Sequence, residues 1–297
     1  MNQNQNSLLQ TITDTDFDGI IIGGGLAGGL LYYGLLKTHP HLRIALIERG
    51  NSLGGNHTWC FHQADVTRSD INIEHWIFGL VSKTWNSYEV RFPNYTRHLN
   101  SPYHAIRSED FSEKIQTLTN EQKQSVLLFN CTADEFNHQS VKVADKSGSS
   151  KILTAPWVVD ARGWPQMSSA VKKPPVAYQK FIGIDIEFEN PHGQDFALLK
   201  DVTIEQKDGY RFIYILPWTK NSLLIEDTYY SDTDLLDEEE VETQILKEAE
   251  KRFGRIKRVI RKEIGRLPLP LVKPILPTES AIEFEKFEQS LEHYKQI

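Results

Sequence analysis

The sequence predicts an α/β protein: a doubly wound, Rossmann-like layer, with an antiparallel β-sheet substrate region inserted beside it. Three observations carry this. A β-rich run, a glycine cluster and an apolar helical pattern follow one another in "FDGIIIGGGLAGGLLYYGLLK" (17–37), and "LRIALIERG" (42–50) supplies the next buried strand. Together they make a βαβ unit. From residue 176 the texture changes to repeated β-type runs, two of them joined by the turn "KDG" at 207–209. The chain has 297 residues, 39% of them hydrophobic and 25% charged, enough for one large core or two intertwined ones.

Taken in order, residues 1–16 read as a polar N-terminal tail. They have neither the basic start nor the apolar centre of a signal peptide. Residues 17–175 form the Rossmann-like domain. Within it, 105–120 reads as a helix capped by Ser108, 125–130 as a parallel strand, 140–155 as a hairpin turning at "KSGSS", and "WVVDARG" (157–163) as a strand with a polar tip. The substrate region covers 176–235, with strands at 176–189, 201–206, 210–217 and 221–228. Residues 236–297 hold a charged helical pattern over 237–262, then "LPLPLVKPILPTES", whose prolines forbid a helix and a central strand. The final "AIEFEKFEQSLEHYKQI" suits an amphipathic helix or a loose tail.

The bulk properties exclude several function classes. A net charge of −7 argues against nucleic acid as a partner. The two cysteines, Cys60 and Cys131, are not in a C-x-x-C arrangement, so a zinc site or disulfide framework is not expected and a cytoplasmic, reducing compartment fits. His57 and His62 have no metal-ligand spacing, and no metal is expected. No run reaches the roughly 18 apolar residues of a membrane span. The basic stretch "KRFGRIKRVIRK" (251–262) could still meet anionic lipid from outside.

Gly23, Gly25 and Gly28 form G-x-G-x-x-G between a strand and a helix. Such a turn lets backbone approach a pyrophosphate and aims a helix N-terminus at its charge. Glu48 ends the next strand about 20 residues beyond Gly28, where an acid binds a ribose hydroxyl. An acid there favours an adenosine without a 2′-phosphate. Gly54 and Gly55 form a second glycine turn directly afterwards, which favours FAD over a nicotinamide cofactor. Asp160 and Arg162, at a strand tip, are candidates to touch the flavin.

"SLLIEDT" (222–228) ends a buried-type strand in two acids, Glu226 and Asp227. Side chains alternate along a strand, so Leu224 and Glu226 share one face and Ile225 and Asp227 the other. A bulge or turn at this end of the strand would bring both acids into one pocket.

The motifs "IIGGGLAGGLL", "IERGNSLGGNHTWCFH", "WVVDARG", "YQKFIGIDIEF", "DGYRFIYILP" and "LLIEDTYYSD" together resemble the lycopene cyclase family, bacterial lycopene β-cyclase type, over roughly residues 17 to 270. The resemblance implies a flavoprotein that converts lycopene to β-carotene via γ-carotene by an acid-initiated cyclisation without net redox. It implies FAD in the reduced form with electrons from NAD(P)H, an apolar carotenoid as partner, and peripheral association with a membrane. It places Gly23, Gly25, Gly28 and Glu48 at the FAD adenosine and pyrophosphate, and Glu226 and Asp227 at the catalytic acid. On the residues alone, Gly54, Gly55 and Asp160 are further cofactor candidates, and strand alternation makes Glu226 the acid that faces the substrate. Protonating an alkene needs an acid kept neutral by an apolar site. The cation that follows needs nearby negative charge or aromatic faces; Trp59, Tyr210, Phe212 and Tyr214 are the aromatic candidates. An FAD monooxygenase of the same fold is the alternative, and its usual late Gly-Asp-Ala stretch is not found in this sequence. Beyond residue 271 the sequence departs from the family pattern, so a truncated, inactive remnant is the remaining reading.

Overall fold

A computed structural model describes residues 9, 12, 15–66, 76–163 and 176–271. The expected amphipathic helix or tail at the C-terminal end lies outside these residues, as does most of the N-terminal tail.

Along the chain, β1 (Gly19–Ile22) leads through the glycine turn into α1 (Leu26–Thr38) and β2 (Ile44–Glu48). There follow β3 (Thr58–His62), β4 (Lys83–Trp85), β5 (Tyr88–Phe92), β6 (Tyr95–Leu99) and β7 (Tyr103–Arg107). Then come α2 (Ser108–Gln122), β8 (Val126–Phe129), β9 (Cys131–Phe136), β10 (Ser140–Asp145), β11 (Ser150–Thr154) and β12 (Val158–Asp160). The remainder is β13 (Val176–Phe188), β14 (Ala197–Asp201), β15 (Tyr210–Pro217), β16 (Ser222–Ser231), α3 (Glu238–Phe253) and β17 (Ile256–Pro270).

The doubly wound layer is a parallel sheet in the order β12-β1-β2-β8. Its apolar strands are buried on both faces, as parallel sheets require. On one face, Ile21 and Leu46 pack against Tyr32 and Leu36 of α1 and Phe111 and Ile115 of α2. On the other, Ile20, Ile22 and Ile47 pack against Val141, Val143 and Leu153 of the antiparallel β11-β10-β9 sheet. The expected hairpin at 140–155 is thus two strands of a three-stranded cover.

The second sheet has seven strands in the order β17-β13-β16-β15-β14-β5-β6, antiparallel except for the β14–β5 pair. One face buries Ile182, Ile184, Ile213, Ile215, Leu223 and Ile225 under Val241, Ile245 and Ala249 of α3. The opposite face carries Leu216, Leu224 and Ala197 against Trp85, Tyr103 and Ala105 of the small β3-β7-β4 sheet. This sheet therefore draws strands from both sides of 176–235.

Three sequence expectations shift. The charged helix ends at Phe253 rather than running to 262, and β17 begins two residues after Gly254. Asp237 caps α3 by accepting from the Glu240 N–H at 3.0 Å; three acids open its first turn, and Lys251 and Arg252 close the last. β17 continues through Pro268 and Pro270 because it is an edge strand, where a missing N–H costs no ladder bond. The strand expected at 201–206 lies instead at Ala197–Asp201. Ser108 is the first residue of α2 rather than its cap, because β7 runs straight into the helix through extended Arg107. Among the described residues no helix is long and apolar enough to cross a membrane.

Candidate active site

The first half of the site is the glycine turn. Gly23 leaves β1 at φ +102°, and a Cβ there would sit 3.0 Å from the backbone of Ala161. A Cβ on Gly28 would stand 2.0 Å from the Gly23 carbonyl oxygen, so this glycine lets α1 pack onto the turn. Gly25 behaves differently: a Cβ there would meet nothing within 4 Å. It precedes α1 without a side-chain cap, and the first turn holds no acid. The backbone N–H groups of that turn thus carry no side-chain cap, the arrangement in which a helix end can receive an anion.

Gly23, Gly25, Glu48, Gly54, Gly55 and Arg162 all line one cavity of about 630 Å³. The second glycine turn is tied to the first by the Gly54 N–H donating to the Gly24 carbonyl at 2.8 Å. Glu48 braces both sides, accepting from the Gly24 N–H at 2.7 Å and the Gly50 N–H at 2.6 Å. The donor set and open helix end fit the pyrophosphate and ribose of a dinucleotide. Asp160 is not on the cavity wall; its carboxylate is held by Arg162, with both oxygens at 2.7 Å from the guanidinium.

The second half lies on the large sheet. β16 pairs with β13 and β15 without a register slip, so Glu226 and Asp227 point to opposite faces. Asp227 is buried on the α3 face, where Arg211 donates to it at 2.6 and 2.9 Å and the Tyr229 hydroxyl at 3.1 Å. Arg211 also donates to Gln244 of α3 at 2.9 Å.

Glu226 faces the small sheet with Leu224. Across the strands it lies in one row with Tyr214 of β15, Gly183 of β13 and Glu263 of β17. The Thr228 hydroxyl donates to its Oε1 at 2.5 Å. The side chain is densely surrounded by protein, though part of it still reaches solvent. Burial, and then the negative charge of Glu263, push the Glu226 carboxyl up to about 8. Burial also raises Glu263 to about 7, against the opposing pull of Arg261 and Thr58. Tyr103 and Tyr214 close one side of the row, their hydroxyls 2.8 Å apart, and Cys60 lies beside them with its thiol pushed by burial to about 12. Cys60 is therefore an inert wall residue.

The halves are joined by the segment after Gly55. His57 lines the cavity, and the Thr58 hydroxyl donates to Glu263 Oε2 at 3.1 Å. Of the aromatic candidates, Tyr214 lies next to Glu226. Phe212 and Tyr210 continue the same face as a stack with Tyr230. Trp59 points the other way, edge-on to Phe111 at 5.2 Å. The basic run 251–262 is largely neutralised: Arg252 pairs with Asp201, Lys257 and Arg258 with Glu187, and Lys262 with Glu242.

Residues 18–283 match the profile described as lycopene cyclase protein. The chain belongs to the lycopene cyclase family. It is similar to the lycopene beta-cyclase of Pantoea ananas, 38% identical over 255 residues, which are 86% of this chain and 63% of that protein. The lycopene beta-cyclase of Pseudescherichia vulneris is 36% identical over 258 residues, with 87% and 63% covered. The chain thus spans about 63% of the length of these curated relatives.

Solved structures share the fold of this lycopene cyclase family member. A p-nitrophenol 4-monooxygenase from Pseudomonas putida superposes with a TM-score of 0.62 at 14% identity, over 86% of this chain and 69% of that one. A geranylgeranyl bacteriochlorophyll reductase-like protein from Thermoplasma acidophilum gives 0.61 at 13%, over 87% and 69%. The doubly wound layer with an antiparallel sheet beside it is their common architecture. Sequence reasoning missed Gly183 and Glu263; the only local signal was that β-branched Val259, Ile260 and Ile264 follow the helix-ending Gly254.

Proposed function

We propose that this chain carries the FAD-binding and acid-catalytic parts of a lycopene β-cyclase, forming β-carotene from lycopene via γ-carotene. The observation that supports this most is Glu226: a carboxyl kept neutral near physiological pH, facing Leu224 and aromatic side chains. Gly23 and Gly25 would hold the FAD pyrophosphate, Glu48 a ribose hydroxyl, and Gly54 and Gly55 the flavin side. Asp160 acts on the cofactor only through Arg162, which it orients. When bound and reduced by NAD(P)H, the flavin supplies an electron-rich surface for a developing cation.

In this reading Glu226 donates its proton to the terminal alkene of lycopene, and the resulting cation is captured by a neighbouring double bond to close the ring. A ring proton then leaves, giving the ring double bond and an isomer of the substrate with no electron gained or lost. The Tyr103–Tyr214 pair and Thr228 keep the Glu226 carboxyl in place and limit water. Asp227, ion-paired with Arg211 behind the sheet, holds β16 and faces away from the substrate side. The cytoplasmic chain would draw its carotenoid from a membrane it touches peripherally. With most of the basic run paired, exposed Val259, Ile260 and Leu267 on β17 are the better contact.

The test is carotenoid analysis in a lycopene-accumulating host, alongside the flavin spectrum of the purified chain. Cyclised product is expected from the wild type, with a loss of about 10²–10⁴-fold in Glu226→Gln at unchanged solubility. Wild-type cyclisation by that variant, or a soluble flavin-loaded wild type that leaves lycopene untouched, overturns the proposal.

A further inference from the structure

We infer that Glu263 is the positioning partner of Glu226, and that the two carboxyls share one proton across the gap left by Gly183. The inference rests on Glu226 being the acid, and it adds how that acid is kept loaded.

The geometry comes from three strands. Gly183 is the direct partner of Glu226 on β16 and of Glu263 on β17, so the two acids flank it on one face. Their Cα atoms are two strand spacings apart, about 10 Å. Any side chain on the middle strand would separate them. Gly183 has none, and Glu263 takes most of the space with Leu224 beside it: a Cβ on Gly183 would stand 2.8 Å from Glu263 Cγ, 2.9 Å from its Oε1 and 3.1 Å from Leu224 Cδ1. Glu263 therefore leans over Gly183 toward β16. Its other oxygen, Oε2, is fixed by the Thr58 hydroxyl at 3.1 Å and the Arg261 guanidinium at 3.0 Å.

The surroundings decide where the proton sits. Glu263 faces Arg261 on its own strand, Thr58 on β3, Asp185 on β13 and Glu109 on α2. Glu226 faces Thr228, the Tyr103 and Tyr214 hydroxyls, Tyr230 and the neutral Cys60 thiol, with Asp227 behind the sheet. The guanidinium and Thr58 stabilise the ionised form at Glu263; among the described residues Glu226 bonds to the Thr228 hydroxyl and to no cation. Two close carboxyls cannot both ionise cheaply. Glu263 thus carries the charge and Glu226 the proton. When Glu226 gives up that proton, the pair briefly holds two negative charges, which draws the ring proton back to Glu226 and restores the starting state.

The experiment follows the carbonyl stretch of protonated carboxyls by infrared difference titration of the purified chain. It compares wild type, Glu226→Gln and Glu263→Gln, and measures the pH profile of cyclisation in the same set. The protonated band that persists above pH 7 in wild type is expected to be lost from that range in Glu226→Gln, leaving the Glu263 carboxyl that titrates at about 7. In Glu263→Gln the Glu226 carboxyl should ionise at least about one pH unit lower, a tenfold loss of proton affinity. The alkaline limb of cyclisation should move down by the same amount, and Glu263→Asp, which keeps the charge, should restore part of the shift. An unchanged titration in Glu263→Gln overturns the inference, even if the variant is less stable. If the bands shift as expected while flavin-loaded wild type makes no cyclised product, the cyclase reading falls and proton sharing stands.

Discussion

Two carboxylates one peptide bond apart on β16 meet opposite environments, and the two faces of one sheet account for it. On the α3 face, Asp227 has no exposed surface, yet a guanidinium fork 2.6 Å away and a tyrosine hydroxyl satisfy it as a charge. On the other face, Glu226 receives one hydroxyl bond and sits near a second acid. The nearby guanidinium on that side, Arg261, is spread over Asp185, Glu109, Glu263 and Thr58. Burial raises the cost of charge on both faces; what differs is whether a dedicated cation offsets it. Asp227 serves structure, and Glu226 is left chemically available.

Breaking the structural side gives the largest expected effect. Arg211→Ala strands Asp227 as a buried charge and should cost about 3–5 kcal/mol in urea denaturation. Replacing both partners together, as Arg211→Met with Asp227→Leu, should cost less than the single change. A single-variant loss near zero would remove the contrast between the faces.

The next effect belongs to the available side and depends on pH. Glu226 binds its proton more tightly folded than unfolded, so its contribution is fully present below pH 4.5 and is lost as pH rises through about 8. Glu226→Gln removes that loss. The variant should be more stable than wild type at pH 9, by an amount that the shift from 4.5 to about 8 bounds at about 5 kcal/mol, with the advantage disappearing near pH 4, as read from thermal melts.

The smallest effect sharpens the geometry. Gly183→Ala must displace Glu263, whose Cγ would lie 2.8 Å from the new methyl. A destabilisation of about 1–2 kcal/mol is expected, together with a lower titration point for Glu226. A melt shift without any titration change would mean that Gly183 merely fills space.

How much of this was legible in the sequence follows from how local each signal is. The glycine turn, Glu48 and the parallel strands were readable because strand, turn and helix are contiguous. The separation of Glu226 from Asp227 followed from the period of a strand and needed only the absence of a bulge. The Glu226–Gly183–Glu263 row was not readable, because it depends on register between strands far apart in the chain. β17 was hidden because "RIKRVIRKEI" continues the charged composition of α3, so composition masked the change marked by Gly254. Trp59 was drawn toward the acid by its family motif, yet alternation along β3 gives Thr58 and Cys60 to the site and Trp59 to the opposite core.

The position of β17 at the sheet edge also bears on how the protein is made. β13 gains β16 as its first neighbour in this sheet once residues near 231 are made, while its other neighbour is synthesised only after the whole of α3. Until residues near 263 emerge, the edge of β13 is unpaired, and the vacancy over Gly183 has nothing to fill it. The Glu226 carboxyl can therefore acquire its final proton affinity only when the last strand of this sheet docks. Late, long-range strand pairing of this kind is slow and leaves an open edge in the meantime. The timing of translation thus separates the growth of the sheet from the arming of its acid.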